Sequence, residues 1–199
     1  MTSHAQTLAE LKKALNNYAG DGSSLFDKEK DKLKQQIRRR ALLLLDQRPR
    51  SEAELRSRLM DMEFAEALIE EVIHDFRSSR LLDDESFAFE WVRQRHEKRC
   101  KSKQALDHEL RDKGIVKDLR LKALAQIDEN DEYRAALALA EKKARSVHTA
   151  PSDYQDYQKF LRRIVGVLAR RGYSDSLSLN IGRSVLDERI SELSSARKL

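Results

Sequence analysis

Apolar positions along the chain repeat a single spacing three times. The first set is Leu55, Leu59, Phe64, Leu68 and Val72; the second is Leu106, Leu110, Ile115, Leu119 and Ala123; the third is Ile164, Leu168, Tyr173, Leu177 and Ile181. Within each set the steps are 4, 5, 4 and 4 residues. Steps of four stay on one face of a helix, and the step of five breaks the phase where a turn must sit. Gly114 precedes Ile115 and Gly172 precedes Tyr173, each after a basic residue, Lys113 or Arg171. A basic last turn followed by glycine is a helix stop. The first set has Glu63 at that place, so its turn has to close without glycine. Start signals fit as well. Ser51-Glu52-Ala53-Glu54 reads as a capping box, Ser102 stands at the matching place, and Asp83 and Asp84 suit the start of a helix bearing Phe87, Trp91 and Val92.

One more helix is predicted upstream of each pair, roughly Gln36–Gln47, Asp84–Arg99 and Glu132–Ser146. The unit is then three short helices, repeated at separations of 51 and 58 residues between equivalent Leu55, Leu106 and Ile164. Residues 149–156 supply the extra length. The reading is an all-α chain of tandem three-helix repeats: 35–80, 81–128 and 129–199, behind a flexible N-terminal extension, 1–34. In that extension Leu8, Leu11 and Leu15 suggest a short helix, and 20–24 a flexible break. Units that bury apolar faces mainly on their neighbours form an elongated, curved array. The alternative is one compact bundle in which the Leu spacing recurs by chance; five matched positions in three places favour the repeats.

Composition agrees with helices. The chain of 199 residues has only 6 Gly and 2 Pro, too few to punctuate a sheet-rich fold. One cysteine, Cys100, allows no internal disulfide and points to a reducing compartment. No apolar run approaches the roughly 20 residues that a membrane helix needs, and the N-terminus lacks a signal-type apolar core. The expectation is a cytoplasmic monomer without membrane contact.

Charge changes the picture more. The formal net charge is +5, and the basic residues cluster. Lys34, Arg38, Arg39, Arg40, Arg48 and Arg50 have only Asp46 among them. Arg93, Arg95, Lys98, Arg99, Lys101 and Lys103 have only Glu97, and Lys159, Arg162, Arg163, Arg170 and Arg171 have no acid at all. Asp61, Glu63, Glu66, Glu70, Glu71 and Asp75 form an opposite cluster on the third helix of the first unit. Stacked in register, the basic helices would make a positive stripe suited to phosphate backbone or to an acidic protein groove. A charged face also simply solvates a helix; three clusters at repeat-related places favour binding. Phosphate contacts of this kind carry no base code, so DNA binding would be sequence-independent. Trp91, Tyr154 and Tyr157 are candidates for base stacking, although Trp91 shares the buried stripe of Phe87.

No catalytic constellation is visible. The histidines at 4, 74, 96, 108 and 148 are scattered, there is no second cysteine for a zinc site, and no phosphate-cradling glycine loop. Cys100 lies between Arg99 and Lys101, which would activate a thiol, but it reads as an incidental residue of a basic linker. No enzyme, cofactor or metal is expected.

One stretch, Arg80-Leu81-Leu82-Asp83-Asp84-Glu85-Ser86-Phe87-Ala88, resembles the G-Y-L-[DN]-D-x-x-[FY]-A pattern of the bacterial RecX regulatory family. Glu109-Leu110-Arg111-Asp112-Lys113-Gly114-Ile115 is similar to that family's E-L-x-x-K-G-I. Ala41-Leu42-Leu43-Leu44-Leu45 followed by Ser51–Leu59 resembles its opening helix and its R-x-[HR]-[ST]-x-x-E-L-x-x-[KR]-L pattern, and Leu168-Ala169-Arg170-Arg171-Gly172-Tyr173 its L-x-x-R-G-[YF] ending. The resemblance spans roughly residues 36–190; Arg80 and Ser102 stand where the family usually or often has Gly. It implies tandem three-helix repeats that bind the RecA–DNA filament, lie in its groove, and reduce RecA ATPase and strand exchange, some members also binding single- or double-stranded DNA. The partner-facing residues would be the basic ones, Arg38, Arg39, Arg40, Arg48, Arg50, Arg93, Arg95, Lys98, Arg99, Lys101, Lys103, Arg162, Arg163, Arg170 and Arg171. A sequence-independent DNA-binding protein acting without RecA remains the alternative.

Overall fold

The computed structural model describes residues 28–196. These residues are helical with short connections, and no strand occurs among them. Helix α1 covers 28–47, α2 Glu52–Met60, α3 Glu66–Ser78, α4 Asp84–Arg99, α5 Lys103–Asp112, α6 Lys117–Leu124, α7 Glu129–Ala144, α8 Tyr154–Ala169 and α9 Asp175–Ala196. Residues 1–27, with the predicted helix around Leu8–Leu15 and the break at 20–24, lie outside the described residues.

Each run of three helices closes its own apolar core. Ile37, Ala41, Leu55, Leu59, Ile69, Val72 and Ile73 anchor the first. Ala88, Val92, Leu106, Leu110, Ile115 and Ala123 anchor the second. Ala136, Ala140, Leu161, Ile164, Leu168, Ile181 and Leu186 anchor the third. Of the fifteen repeat-frame positions, Phe64, Leu119 and Leu177 are half-buried and the rest are buried. The chain forms two compact units, one ending at Leu82 and one beginning at Asp83, so the second and third cores share a unit.

Side-chain caps mark the starts of α2, α4, α5, α7 and α8, while α3 and α6 start without one. Ser51 Oγ accepts from the Glu54 N–H at 3.2 Å, and the Glu54 carboxylate takes both ends of the Arg48 guanidinium at 3.0 and 3.1 Å. Asp83 accepts from Glu85 N–H and Ser86 N–H at 3.0 and 3.1 Å. Two starts differ from the sequence reading. Helix α7 begins at Glu129 and not near Glu132, because Asp128 and Asp131 form a reciprocal capping box. Helix α1 begins by residue 28, so 28–34 are helical and not part of a flexible extension. Their reason is electrostatic: Lys30 pairs with Glu71 at 2.7 Å, and Lys34 with Glu71 and Asp75 at 3.2 and 3.1 Å.

All three mid-unit turns close in the left-handed region, at Glu63 (φ 63°), Gly114 (φ 75°) and Gly172 (φ 84°). Arg80 (φ 56°), standing where the family pattern has glycine, and Cys100 (φ 48°), which ends α4, adopt it too. The backbone conformation is thus kept where the glycine is not.

Candidate nucleic-acid and partner interface

In the second unit a junction locks two cores together and gathers cations from both. The α4–α5 loop meets the α8–α9 turn: Ser102 N–H donates to Arg171 O at 3.0 Å, Ser102 Oγ donates to Gly172 O at 2.6 Å, and Tyr173 Oη donates to Cys100 O at 3.0 Å. Gly172 is required there by space as well as by φ. A Cβ on it would stand 2.6 Å from Ala105 Cβ and 2.8 Å from Ser102 Oγ. Ser102 is buried and also caps α5 through the Ala105 N–H at 3.2 Å. Burial pushes the Tyr173 phenol well above its ordinary range, so it stays a donor.

This contact brings Arg171 beside the basic end of α4. Burial lowers the Lys101 ammonium from its ordinary value, and the charges of Arg95, Arg171 and Arg99 push the same way. Lys101 also donates to the Glu109 carboxylate, which is shared. That carboxylate accepts from Arg95 at 3.1 Å and from Trp91 Nε1 at 2.9 Å. The Arg95 guanidinium lies flat on Trp91, 3.1 Å from the ring centroid, and Lys113 Nζ is 5.0 Å from it. Trp91 therefore supports the cations and is not open for base stacking. Arg99 and Lys98 are exposed, and Lys103 is half-buried with its N–H on Glu132 at 2.9 Å.

Helix α8 extends the positive surface. The 3.6-residue turn sets Lys159, Arg163, Gly166 and Arg170 within about 60° of arc, over roughly 16 Å of helix. Lys159, Arg162, Arg163 and Arg170 are exposed. Arg162 Nε rests on Gln158 O at 3.2 Å and Arg163 leans over Phe160 at 5.8 Å. Gly166 leaves a notch in this line, where a Cβ would meet only the Arg170 guanidinium at 3.5 Å. Tyr154 is 75% exposed at the start of α8. Tyr157 is tied to Asp187 through its hydroxyl at 2.9 Å.

The first unit spends most of its charge internally. Arg38 pairs with Asp75, Arg56 with Glu52 and Glu70 at 2.9 and 3.0 Å, and Arg77 with Glu52 at 3.0 Å. Arg50 caps α1 through Leu44 O at 3.0 Å, burial pulling its guanidinium down. Hydrogen bonds from Lys30 and Lys34 hold Glu71, and those from Lys34 and Arg38 hold Asp75, below the usual carboxylate range. The acidic third helix is thus largely neutralised by its own unit, not a free acidic face. Among the described residues, Arg39 and Arg40 are exposed and pair with no acid. Arg93, in the second unit, is held by Glu90 and Glu97 at 2.9 and 3.1 Å.

The junction was not visible in sequence, since Ser102 and Gly172 are 70 residues apart; a serine cap and a glycine stop were the only signals. Among the described residues no cluster of His, Cys, Asp and Glu would hold a metal ion, and no helix is long and apolar enough to cross a membrane.

The RecX first three-helix domain matches residues 38–76, and the RecX second three-helix domain matches residues 83–124. The chain is 50% identical over 194 residues to the regulatory protein RecX of Corynebacterium efficiens, covering 95% of this chain and 92% of that one. The chain belongs to the RecX family. The regulatory protein RecX of Streptomyces coelicolor is 36% identical over 154 residues, 77% of this chain and 79% of that one. The fold agrees with solved RecX structures. RecX from Lactobacillus salivarius superposes with a TM-score of 0.61 at 23% identity, over 82% of this chain and 98% of that one. Another RecX crystal structure gives 0.62 at 24% identity, over 74% and 70%. The two RecX domain matches fall on the first and second cores, α1–α3 and α4–α6.

Proposed function

We propose that this RecX-family chain regulates recombination in the cytoplasm by binding the RecA–DNA filament as a monomer, lowering RecA ATPase and strand exchange. It acts by binding and not by catalysis. The observation that carries the reading is the convergence of Arg95, Arg99, Lys101 and Arg171 at one junction, held by the contacts of Ser102 with Arg171 O and Gly172 O. Beside it runs the exposed line of α8. Glu109 engages Arg95 and Lys101, while the cations of α8, set on a rigid helix with no acid among them, suit phosphate placed next to protein. The second unit supplies the phosphate contacts, through Arg99, Arg163, Arg170 and Arg171. The first unit, its acids neutralised, faces protein.

A second reading, a sequence-independent DNA binder that acts without RecA, is favoured by the α8 line alone, since that line needs only phosphate. The deciding experiment is RecA ATPase on single-stranded DNA with the chain titrated in. Inhibition by the wild type, and loss of it in the combined Arg163→Ala, Arg170→Ala, Arg171→Ala variant with helical circular dichroism unchanged, supports the filament reading. Unaltered ATPase at saturating chain rejects it.

A further inference from the structure

The outward face of α1 is apolar in the middle of the helix, where a solvated face would be polar. Leu42 and Leu43 are 47% and 49% exposed. Leu43 faces Phe64, of the α2–α3 turn, across a groove of about 420 Å³ that Gln36, Arg39 and Arg40 complete. Gln35, Arg38, Arg39, Leu42 and Leu43 line an adjoining groove of about 580 Å³, with Asp46 as its one acid. Arg39 and Arg40, which pair with no described acid, therefore rim the apolar surface that the first unit leaves open.

Charge selects the occupant. A second copy set face to face would bring Arg39 and Arg40 against their own equivalents. Around its apolar residues Leu11 and Leu15 the segment before α1 carries Lys12 and Lys13 against Glu10, a net positive charge like the rim's, and Leu25 and Phe26, flanked by Asp21 and Asp27, lie too close to the start of α1 to reach along it to Leu43. A phosphate backbone would use the arginines and leave Leu42 and Leu43 facing water. The remaining match is a bulky apolar side chain flanked by carboxylates, which guanidinium forks hold in bidentate fashion. We propose that the α1 groove docks an acidic protein segment, its apolar anchor seated against Leu43 and Phe64 and its carboxylates held by Arg39 and Arg40. Anchors in such grooves dominate binding while the charged rim sets specificity. This contact goes beyond the filament reading and needs neither RecA nor DNA.

The test is fluorescence anisotropy of the full chain with a labelled peptide bearing a Leu-Phe pair between runs of Asp and Glu. The expected result is saturable binding, weakened roughly tenfold or more by Arg39→Glu with Arg40→Glu, as for rim and buried charge partners. Leu43→Ser, a half-exposed site that the core does not need, should weaken it several-fold. Replacing the peptide's Leu-Phe pair by Ser-Ser should do the same without altering the protein. Absence of binding by the wild type overturns the proposal. So does binding that falls only with the arginine changes, which would mean charge alone. A single-stranded oligonucleotide that displaces the peptide, and whose own binding falls with Leu43→Ser, would make the groove a nucleic-acid site and overturn it as well.

Discussion

The α2–α3 turn and the α8–α9 turn are the same turn given different work. Both place a left-handed residue between two helices, Glu63 at φ 63° and Gly172 at φ 84°. At Gly172 a neighbouring helix comes so close that a Cβ would stand 2.6 Å from Ala105 Cβ. At Glu63 the side chain projects into solvent. A left-handed non-glycine residue costs about 1–2 kcal/mol, which a turn can absorb; a collision with backbone and a buried cap is much harder to relieve. At Gly172 the glycine thus answers a docked neighbour as well as the turn, and Glu63 shows that the turn alone does not demand it.

Core loss sets the upper end of the scale. Leu110→Ala empties a fully buried position behind the Gly114 turn and is expected to cost about 2–5 kcal/mol, read as a lower melting temperature by circular dichroism. An unchanged melting temperature would contradict the repeat frame. Gly172→Ala combines left-handed strain with overpacking and is expected to cost roughly 2–4 kcal/mol. If it costs no more than Glu63→Ala, which is expected to be nearly neutral, the two turns do not differ as argued. Ser102→Ala removes both the α5 cap and the bond to Gly172 O. A loss of about 1–2 kcal/mol follows, and emission from Trp91, the one tryptophan, reports on the same unit. Glu63→Gly should stabilise, by about 1 kcal/mol, since nothing is packed against that turn's side chain.

The smallest effect separates the units by pH. Hydrogen bonds from Lys34 and Arg38 depress Asp75, and those from Lys30 and Lys34 depress Glu71, in the folded chain. Groups so depressed stabilise above their unfolded values, 3.8 and 4.5, and lose that stabilisation as pH falls through the folded ones. Acidification from pH 5 to 3 should thus weaken the first unit. Asp75→Asn with Glu71→Gln should flatten the dependence seen by circular dichroism, while Trp91 emission follows the second unit alone. Equal acid sensitivity with and without the two changes would contradict the pairing.

The fold was legible because core positions must recur at fixed helical phase. Leu55, Leu106 and Ile164 head their sets whatever surrounds them, and all are buried. Charge placement was less legible. Glu66, Glu70, Glu71 and Asp75 read as an acidic face, but α1 starts early enough for Lys30 and Lys34 to reach Glu71. A sequence shows charges and not which helix crosses them. Of the candidate site, the basic clusters were readable and their convergence was not. Arg171 meets Lys101 through the contacts of Ser102 with Arg171 O and Gly172 O and of Tyr173 with Cys100 O, and Glu63 gave no hint that its turn keeps the glycine conformation.

If the proposed function holds, the positive surface of the second unit serves a RecA filament and not bare DNA. The most direct measurement is a pair of salt titrations, on single-stranded DNA and on a RecA filament held with a non-hydrolysable nucleotide. Phosphate binding alone falls with salt by a log–log slope of about −0.7 per contact on single strands. Tighter binding to the filament, with a shallower slope, is the expected result, because packed protein contacts release fewer counterions. Equal affinities and equal slopes on the two would contradict it and leave a general DNA-binding protein.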